Sequence, residues 1–315
     1  MKHLVSVSDL TKEEAIALLD LGVEMNTVNA RDVKKLPSLT GRTVANMFFE
    51  DSTRTRISFE IAAKRLSADV VSFSAKGSSV SKGESLQDTV LTLEAMGVDA
   101  IVVRHNLSGA AQTIADSSWS HAAVINAGDG THEHPTQALL DAFSIRSSFF
   151  ASDYRGDLSG LRVLITGDIL HSRVARSNAL LLRTLGAHVS FCGPATLVPE
   201  SVKPLVETTF HDFDEALAQQ FDVVMMLRMQ NERMESSFVP NAIEYSEFYG
   251  LTTSRFRNLK ADTRIMHPGP MNRGLEICSE AADSANSLIT TQVSNGVSMR
   301  MAVLYTLLAQ EGRGK

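Results

Sequence analysis

FFEDSTRTRISFE, residues Phe48 to Glu60, decides how this chain is read. The apolar run leading into it, Val44 to Phe49, predicts a buried parallel strand, and from Ser58 the spacing of Phe59, Ala62, Ala63 and Leu66 predicts a helix. Asp51, Ser52, Thr53, Arg54, Thr55 and Arg56 fall between the two. A helix start leaves its first N–H groups without intrahelical partners, and the macrodipole makes that end partly positive. Hydroxyls from Ser52, Thr53 and Thr55 and guanidiniums from Arg54 and Arg56, placed there, read as a phosphate cradle. An ordinary capped surface helix would use a hydroxyl and tolerate an arginine. It does not account for so many anion-binding groups packed directly after a buried strand. The chain contains no GxxxxGKS/T motif, so the phosphate is not expected to be held as in a P-loop nucleotide hydrolase.

Working outward, Ser8 to Gly22 predicts an opening helix, with Thr11 and Glu14 spaced as a capping box and Gly22 as its stop. After the central stretch come a strand at Asp69 to Phe73, a polar loop from Ser74 to Gly83 that carries Lys82, and a helix from Glu84 to Met96. A strand at Asp99 to Val103 ends at Arg104 and His105, and a helix follows from Ser108 to Asp116. A further strand, Ala122 to Ile125, runs into NAGDGTHEHPTQ and a helix from His134 to about Phe150. Alternating strands and helices imply right-handed crossovers and a parallel sheet. STRTR, Arg104 and His134 then share one address, just past strand carboxyl ends, where ligands bind in open α/β sheets.

The pattern starts again after a polar turn at Asp153 to Ser159. Strands are expected at Leu161 to Thr166, Ala187 to Cys192, Asp222 to Leu227 and Arg264 to His267, with a helix ending at Gly186 and an amphipathic helix near Phe213 to Gln220. The expected fold is α/β, two doubly wound parallel-sheet domains with an inter-domain active-site cleft. Residues 1–149 form the first domain, 150–291 the second, and a C-terminal helix within 292–315 packs back on the first. Arg173 stands at a strand-to-helix junction, Arg228 and Gln230 directly follow a strand, and HPGP (His267, Pro268, Gly269, Pro270) follows another. Arginine forks bind carboxylates bidentately, so two at one rim suit a dicarboxylate. His132 and His134, with Asp129 nearby, invite a metal reading, but zinc takes three or four ligands and no third is evident. A neutral His134 donating a hydrogen bond to a carbonyl is the preferred reading, with no metal and no cofactor. Trp119, Met225, Met226, Met229, Cys192 and Cys278 read as packing residues.

The 315 residues suggest two domains, and an apolar fraction of 43% is enough for two cores. A formal net charge of −6 speaks against nucleic acid as a partner. Two cysteines offer neither a disulfide framework nor a cysteine-based zinc site. There is no apolar signal core and no run near the ~18 apolar residues of a membrane span, so a cytoplasmic protein without membrane contact is expected.

With these motifs in place, the chain resembles the transcarbamylase family, most closely its aspartate carbamoyltransferase catalytic chains. The resemblance rests on STRTR (52–56), SKGES (81–85), VVRH (102–105), HPTQ (134–137), GDILHSRVARS (167–177), RMQ (228–230), HPGP (267–270) and NGVSMR (295–300), and spans nearly the whole length. The HCLP and SMG signatures of the ornithine enzymes are absent. The resemblance implies transfer of the carbamoyl group of carbamoyl phosphate to L-aspartate, an early step of pyrimidine biosynthesis. It implies that Ser52, Thr53, Arg54 and Thr55 hold the phosphate, and that Thr55, Arg104 and His134 contact the carbonyl oxygen. Gln137 and the Pro268, Gly269 and Pro270 loop would lie by the amide, and Arg173, Arg228 and Gln230 would bind the aspartate carboxylates. Lys82, with Ser78 or Ser79, would come from the neighbouring subunit of a homotrimer with shared sites, and Arg300 would act in support. Relatives are seen with a regulatory subunit or a dihydroorotase partner. Two other readings remain: a transcarbamylase of another amine such as ornithine, and a catalytically silent assembly subunit. The retention of Arg54, Lys82 and His134 argues against the second.

Overall fold

The computed structural model describes residues 1–74, 83–150, 156–229 and 242–309. The chain divides into two compact units, residues 1–143 with 293–315, and residues 144–292.

The first unit opens with a 3-10 turn, Val7–Asp9, and helix α1, Lys12–Asn29. Thr11 and Glu14 close a reciprocal capping box at its start, as their spacing predicts. Gly22 does not end the helix. It lies inside α1, where a Cβ would run into the Met299 sulfur and sit 3.4 Å from the Phe143 ring. The glycine is there for close helix packing, and linear spacing alone does not distinguish that from a stop. Gly22→Ala is expected to destabilise the protein by about 1–3 kcal/mol through overpacking, read as a lower thermal midpoint.

Four parallel strands follow with their helices: β1 (Thr43–Phe48), α2 (Thr53–Arg65), β2 (Asp69–Ser74), α3 (Leu86–Ala95), β3 (Ala100–His105), α4 (Ala110–Asp116), β4 (Ala123–Asp129) and α5 (Pro135–Phe149), which from Ser144 onward belongs to the second unit. The sheet order is β2-β1-β3-β4. Val44 to Phe48 are all buried, as expected of a parallel strand covered on both faces. Met47 makes one core with Val90, Ile101, Val103, Ile114 and Val124, with Trp119 packed against it.

The second unit contains β5 (Arg162–Thr166), α6 (Arg173–Thr184), β6 (His188–Cys192), β7 (Thr208–Phe210), α7 (Phe213–Leu217), β8 (Val223–Met226), α8 (Ala242–Tyr249), α9 (Thr253–Arg257), β9 (Arg264–Met266) and α10 (Ser279–Ala282). Its five strands are parallel in the order β7-β6-β5-β8-β9. Cys192 lies in its core, where burial pushes the thiol up to about 12 and leaves it an inert packing group.

Helix α11, Ile289–Leu308, belongs to the first unit from Val293 onward. Ser298 accepts from Asn29 Nδ2 at 2.8 Å and donates to Asn26 Oδ1 at 3.1 Å. Arg300 is buried over the Phe59 ring and donates to Ser58 Oγ and Gly296 O, each at 3.0 Å. The last helix thus ties α1 to α2.

Among the described residues no helix is long and apolar enough to cross a membrane.

Candidate active site

In each sheet the strand order reverses at one place, and an open α/β sheet binds its ligand outside the carboxyl ends of the strands flanking that reversal. In the first unit β1 leads outward to β2 on one side while β3 and β4 lie on the other, so the reversal falls between β1 and β3. STRTR follows β1, and Arg104 sits at the end of β3, in register with Phe48. In the second unit the reversal falls between β5 and β8. Arg173 follows β5 and Arg228 follows β8. Both groups of cations therefore stand where the topology leaves a crevice.

The STRTR stretch is not a turn before the helix, as the spacing predicts, but its first turn, since α2 begins at Thr53. Ser52 takes the N-cap position in extended conformation, and its side chain makes no capping hydrogen bond. Thr11, Ser85, Ser172, Asp212 and Thr252 all cap their own helices by accepting from a first-turn amide. The α2 start is left without such a cap, with no acidic residue in its first turn. Thr53 and Arg54 are exposed and Thr55 is buried. That arrangement suits an anion supplied from outside the chain.

Arg104 is oriented by its neighbours, with Nη2 3.2 Å from Glu50 Oε2 and Nη1 donating to Ala127 O at 3.3 Å. His134 is buried immediately before α5, and Thr136 Oγ1 lies 3.5 Å from its Nδ1. The loop that carries it is built around the buried carboxylate of Asp129, which accepts from Gly109 N at 2.6 Å, Asn126 Nδ2 at 2.8 Å and Glu133 N at 3.1 Å. His132 directs Nδ1 to the same carboxylate at 3.1 Å, so the two histidines of THEHPTQ have separate duties. Among the described residues no three His, Cys, Asp or Glu side chains are grouped to hold a metal ion. Gln137 donates Nε2 to the buried Asp141 at 3.0 Å, which turns its carbonyl oxygen the other way.

In the second unit Arg173 is the first residue of α6 and is buried, while Ser172 caps the helix by accepting from Ala175 N at 3.1 Å. The junction before it turns on Gly167, whose φ of +134° lies in the region that glycine favours. A Cβ there would stand 3.0 Å from the Tyr245 hydroxyl and 3.1 Å from Leu227 Cβ. Burial pushes the Tyr245 hydroxyl well above its ordinary range, so it stays protonated. Buried Asp168 accepts from His171 N at 3.2 Å and meets His171 Nδ1 at 2.9 Å, fixing the loop two residues before the arginine. Arg228 is half-buried two residues past β8. The His267 to Pro270 loop leaves β9. Lys82, Ser78, Ser79 and Gln230 lie outside the described residues.

Two family models match the chain in succession. Residues 2–147 match the carbamoyl-P binding domain of aspartate/ornithine carbamoyltransferase, and residues 159–307 match the Asp/Orn binding domain of the same family. The chain is also 61% identical over 315 residues to the aspartate carbamoyltransferase catalytic subunit of Kineococcus radiotolerans, covering 99% of this chain and 98% of that protein. It belongs to the aspartate/ornithine carbamoyltransferase family. Among solved carbamoyltransferases, the aspartate transcarbamoylase of Trypanosoma cruzi in complex with N-(phosphonacetyl)-L-aspartic acid superimposes with a TM-score of 0.87 at 31% identity, over 98% of this chain and 96% of that one. The same enzyme in complex with carbamoyl phosphate and aspartate gives a TM-score of 0.86 at 31% identity, over 98% and 97%. Asp129, Asp141 and Asp168 orient the family's motif residues from buried positions. Their signal in the sequence is slight: Asp129 and Asp168 are aspartates at or just past a strand end, and Asp141 is one polar residue within the apolar run of α5.

Proposed function

We propose that this carbamoyltransferase transfers the carbamoyl group of carbamoyl phosphate to the amine of L-aspartate, giving N-carbamoyl-L-aspartate and phosphate. The observation that carries the reading is the placement of the arginines. Arg54 and Arg104 stand at the strand-order reversal of one sheet, Arg173 and Arg228 at that of the other. The first group suits a phosphate and the carbonyl beside it, the second a pair of carboxylates.

In this reading Ser52, Thr53, Arg54 and Thr55 hold the phosphate, with first-turn amides of α2 as further donors. The neutral amine of aspartate attacks the carbamoyl carbon. The carbon–oxygen bond to phosphate breaks with its electron pair leaving on phosphate, which accepts the amine proton. Thr55, Arg104 and His134 stabilise the tetrahedral oxyanion, where a preorganised donor is worth about 3–4 kcal/mol. The Gln137 carbonyl oxygen and the Pro268, Gly269 and Pro270 loop receive the carbamoyl amide, whose N–H groups need acceptors. Arg173 and Arg228, with Gln230, bind the aspartate carboxylates. Lys82 reaches the site of a neighbouring subunit in a homotrimer. Holding both substrates supplies the proximity contribution. The setting is cytoplasmic and the step belongs to pyrimidine biosynthesis, with residues 1–149 and the C-terminal helix as the carbamoyl-phosphate domain and 150–291 as the aspartate domain.

Purified protein given carbamoyl phosphate with L-aspartate or L-ornithine in parallel is expected to make carbamoyl-aspartate and no citrulline. Citrulline would retain the phosphate cradle and overturn the dicarboxylate reading.

A further inference from the structure

We propose that Glu276 is a positioning residue for recognition of the carbamoyl amide, acting through the imidazole of His267 on the loop from His267 to Pro270. The proposal rests on the reading of that loop as the amide's neighbour.

Both side chains are fully removed from solvent, with His267 1% and Glu276 0% exposed. Gly269 N donates to His267 Nδ1 at 2.8 Å, so that nitrogen carries no proton and the ring proton sits on Nε2. Nε2 lies 3.2 Å from Glu276 Oε1. The same oxygen accepts from Asn272 N at 2.6 Å, and His267 N donates to Gln292 Oε1 at 3.1 Å. The loop is thus pinned at residues 267, 269 and 272, two of the three through one carboxylate. Gly269 holds a φ of +61°, a conformation favoured by glycine, and its amide is held by the His267 ring.

A buried carboxylate is costly to keep, and a charge-assisted bond orients its donor more firmly than a neutral one. An imidazole accepting a backbone amide on one nitrogen and giving its proton to a carboxylate on the other has one allowed ring orientation and one tautomer. Backbone carbonyls that are to accept two N–H groups from a planar amide need that rigidity, because their hydrogen bonds weaken steeply with angle. Acetyl phosphate carries a methyl group where carbamoyl phosphate carries the amide, so it reports on the loop separately from the phosphate cradle.

The test measures affinities of the full-length protein for carbamoyl phosphate, acetyl phosphate and inorganic phosphate in wild type, Glu276→Met and Glu276→Gln, each checked for its thermal midpoint. Wild type is expected to prefer carbamoyl over acetyl phosphate. Glu276→Met should lose about tenfold in carbamoyl phosphate affinity with the other two ligands unchanged, and Glu276→Gln, which keeps an acceptor, should stay within about threefold of wild type. Equal wild-type binding of the two acyl phosphates would remove the loop reading itself. A wild-type preference that survives in Glu276→Met, or is lost equally in Glu276→Gln, would overturn the positioning role alone. If Glu276→Met does not fold, His267→Phe removes both ring bonds at similar volume and is read by the same ratio.

Discussion

Arg54→Ala is expected to lower kcat by roughly a hundred- to a thousandfold while leaving the fold intact. Arg54 is exposed in the first turn of α2, and truncating an exposed side chain changes stability by only about 0.5 kcal/mol. The helix dipole and the amides of that turn remain in the variant, so phosphate should still bind, more weakly. What is lost is the charge that follows the phosphate as it departs. Steady-state rates of carbamoyl-aspartate formation beside a thermal melt decide the matter. A variant that keeps more than about a tenth of the wild-type rate with an unchanged melt would remove Arg54 from the leaving-group role.

Arg228→Ala is expected to raise KM for aspartate by about a hundredfold and leave KM for carbamoyl phosphate near its wild-type value. A bidentate, charge-assisted pair with a carboxylate supplies energy of about that size. Arg228 gives a cleaner test than Arg173 because it is half-buried beyond a strand end, whereas Arg173 is buried at the head of α6 and its removal would leave a void as well as a lost charge. Initial rates against each substrate in turn separate the two effects. A proportional rise in both KM values would place Arg228 outside acceptor binding.

Most of the sheet framework can be read directly from the sequence, because a parallel strand buried on both faces is a short, nearly continuous apolar run. Val44 to Phe48 and Val163 to Thr166 are of this kind, and both lie in strands. Strand β7 has three residues and no such run, so it leaves no mark. The start of α2 is misjudged by five residues because threonine and serine are common in turns, and nothing local reveals that Thr53 is already helical. Gly22 fails for the opposite reason, since its packing partner Met299 lies at the far end of the chain. The charged residues at strand ends are legible because each follows an apolar run. Glu276 is not, because its meaning lies in the His267 ring and the Asn272 amide, and burial of a carboxylate has no linear signature.

The first unit takes its last helix from residues 293 onward, after the whole of the second has been made. On a ribosome the face of α1 around Gly22, and the Phe59 ring that Arg300 will cover, therefore wait, after residue 143 has been made, for about 150 further residues, some 8–30 s at ordinary elongation rates. During that interval the faces of α1 and α2 that α11 will cover stay uncovered, while the later unit is complete in sequence as soon as it emerges. Order of synthesis and order of completion are reversed. Loss of the carboxyl-terminal twenty residues should therefore be felt first at the phosphate end of the chain, the part translated earliest.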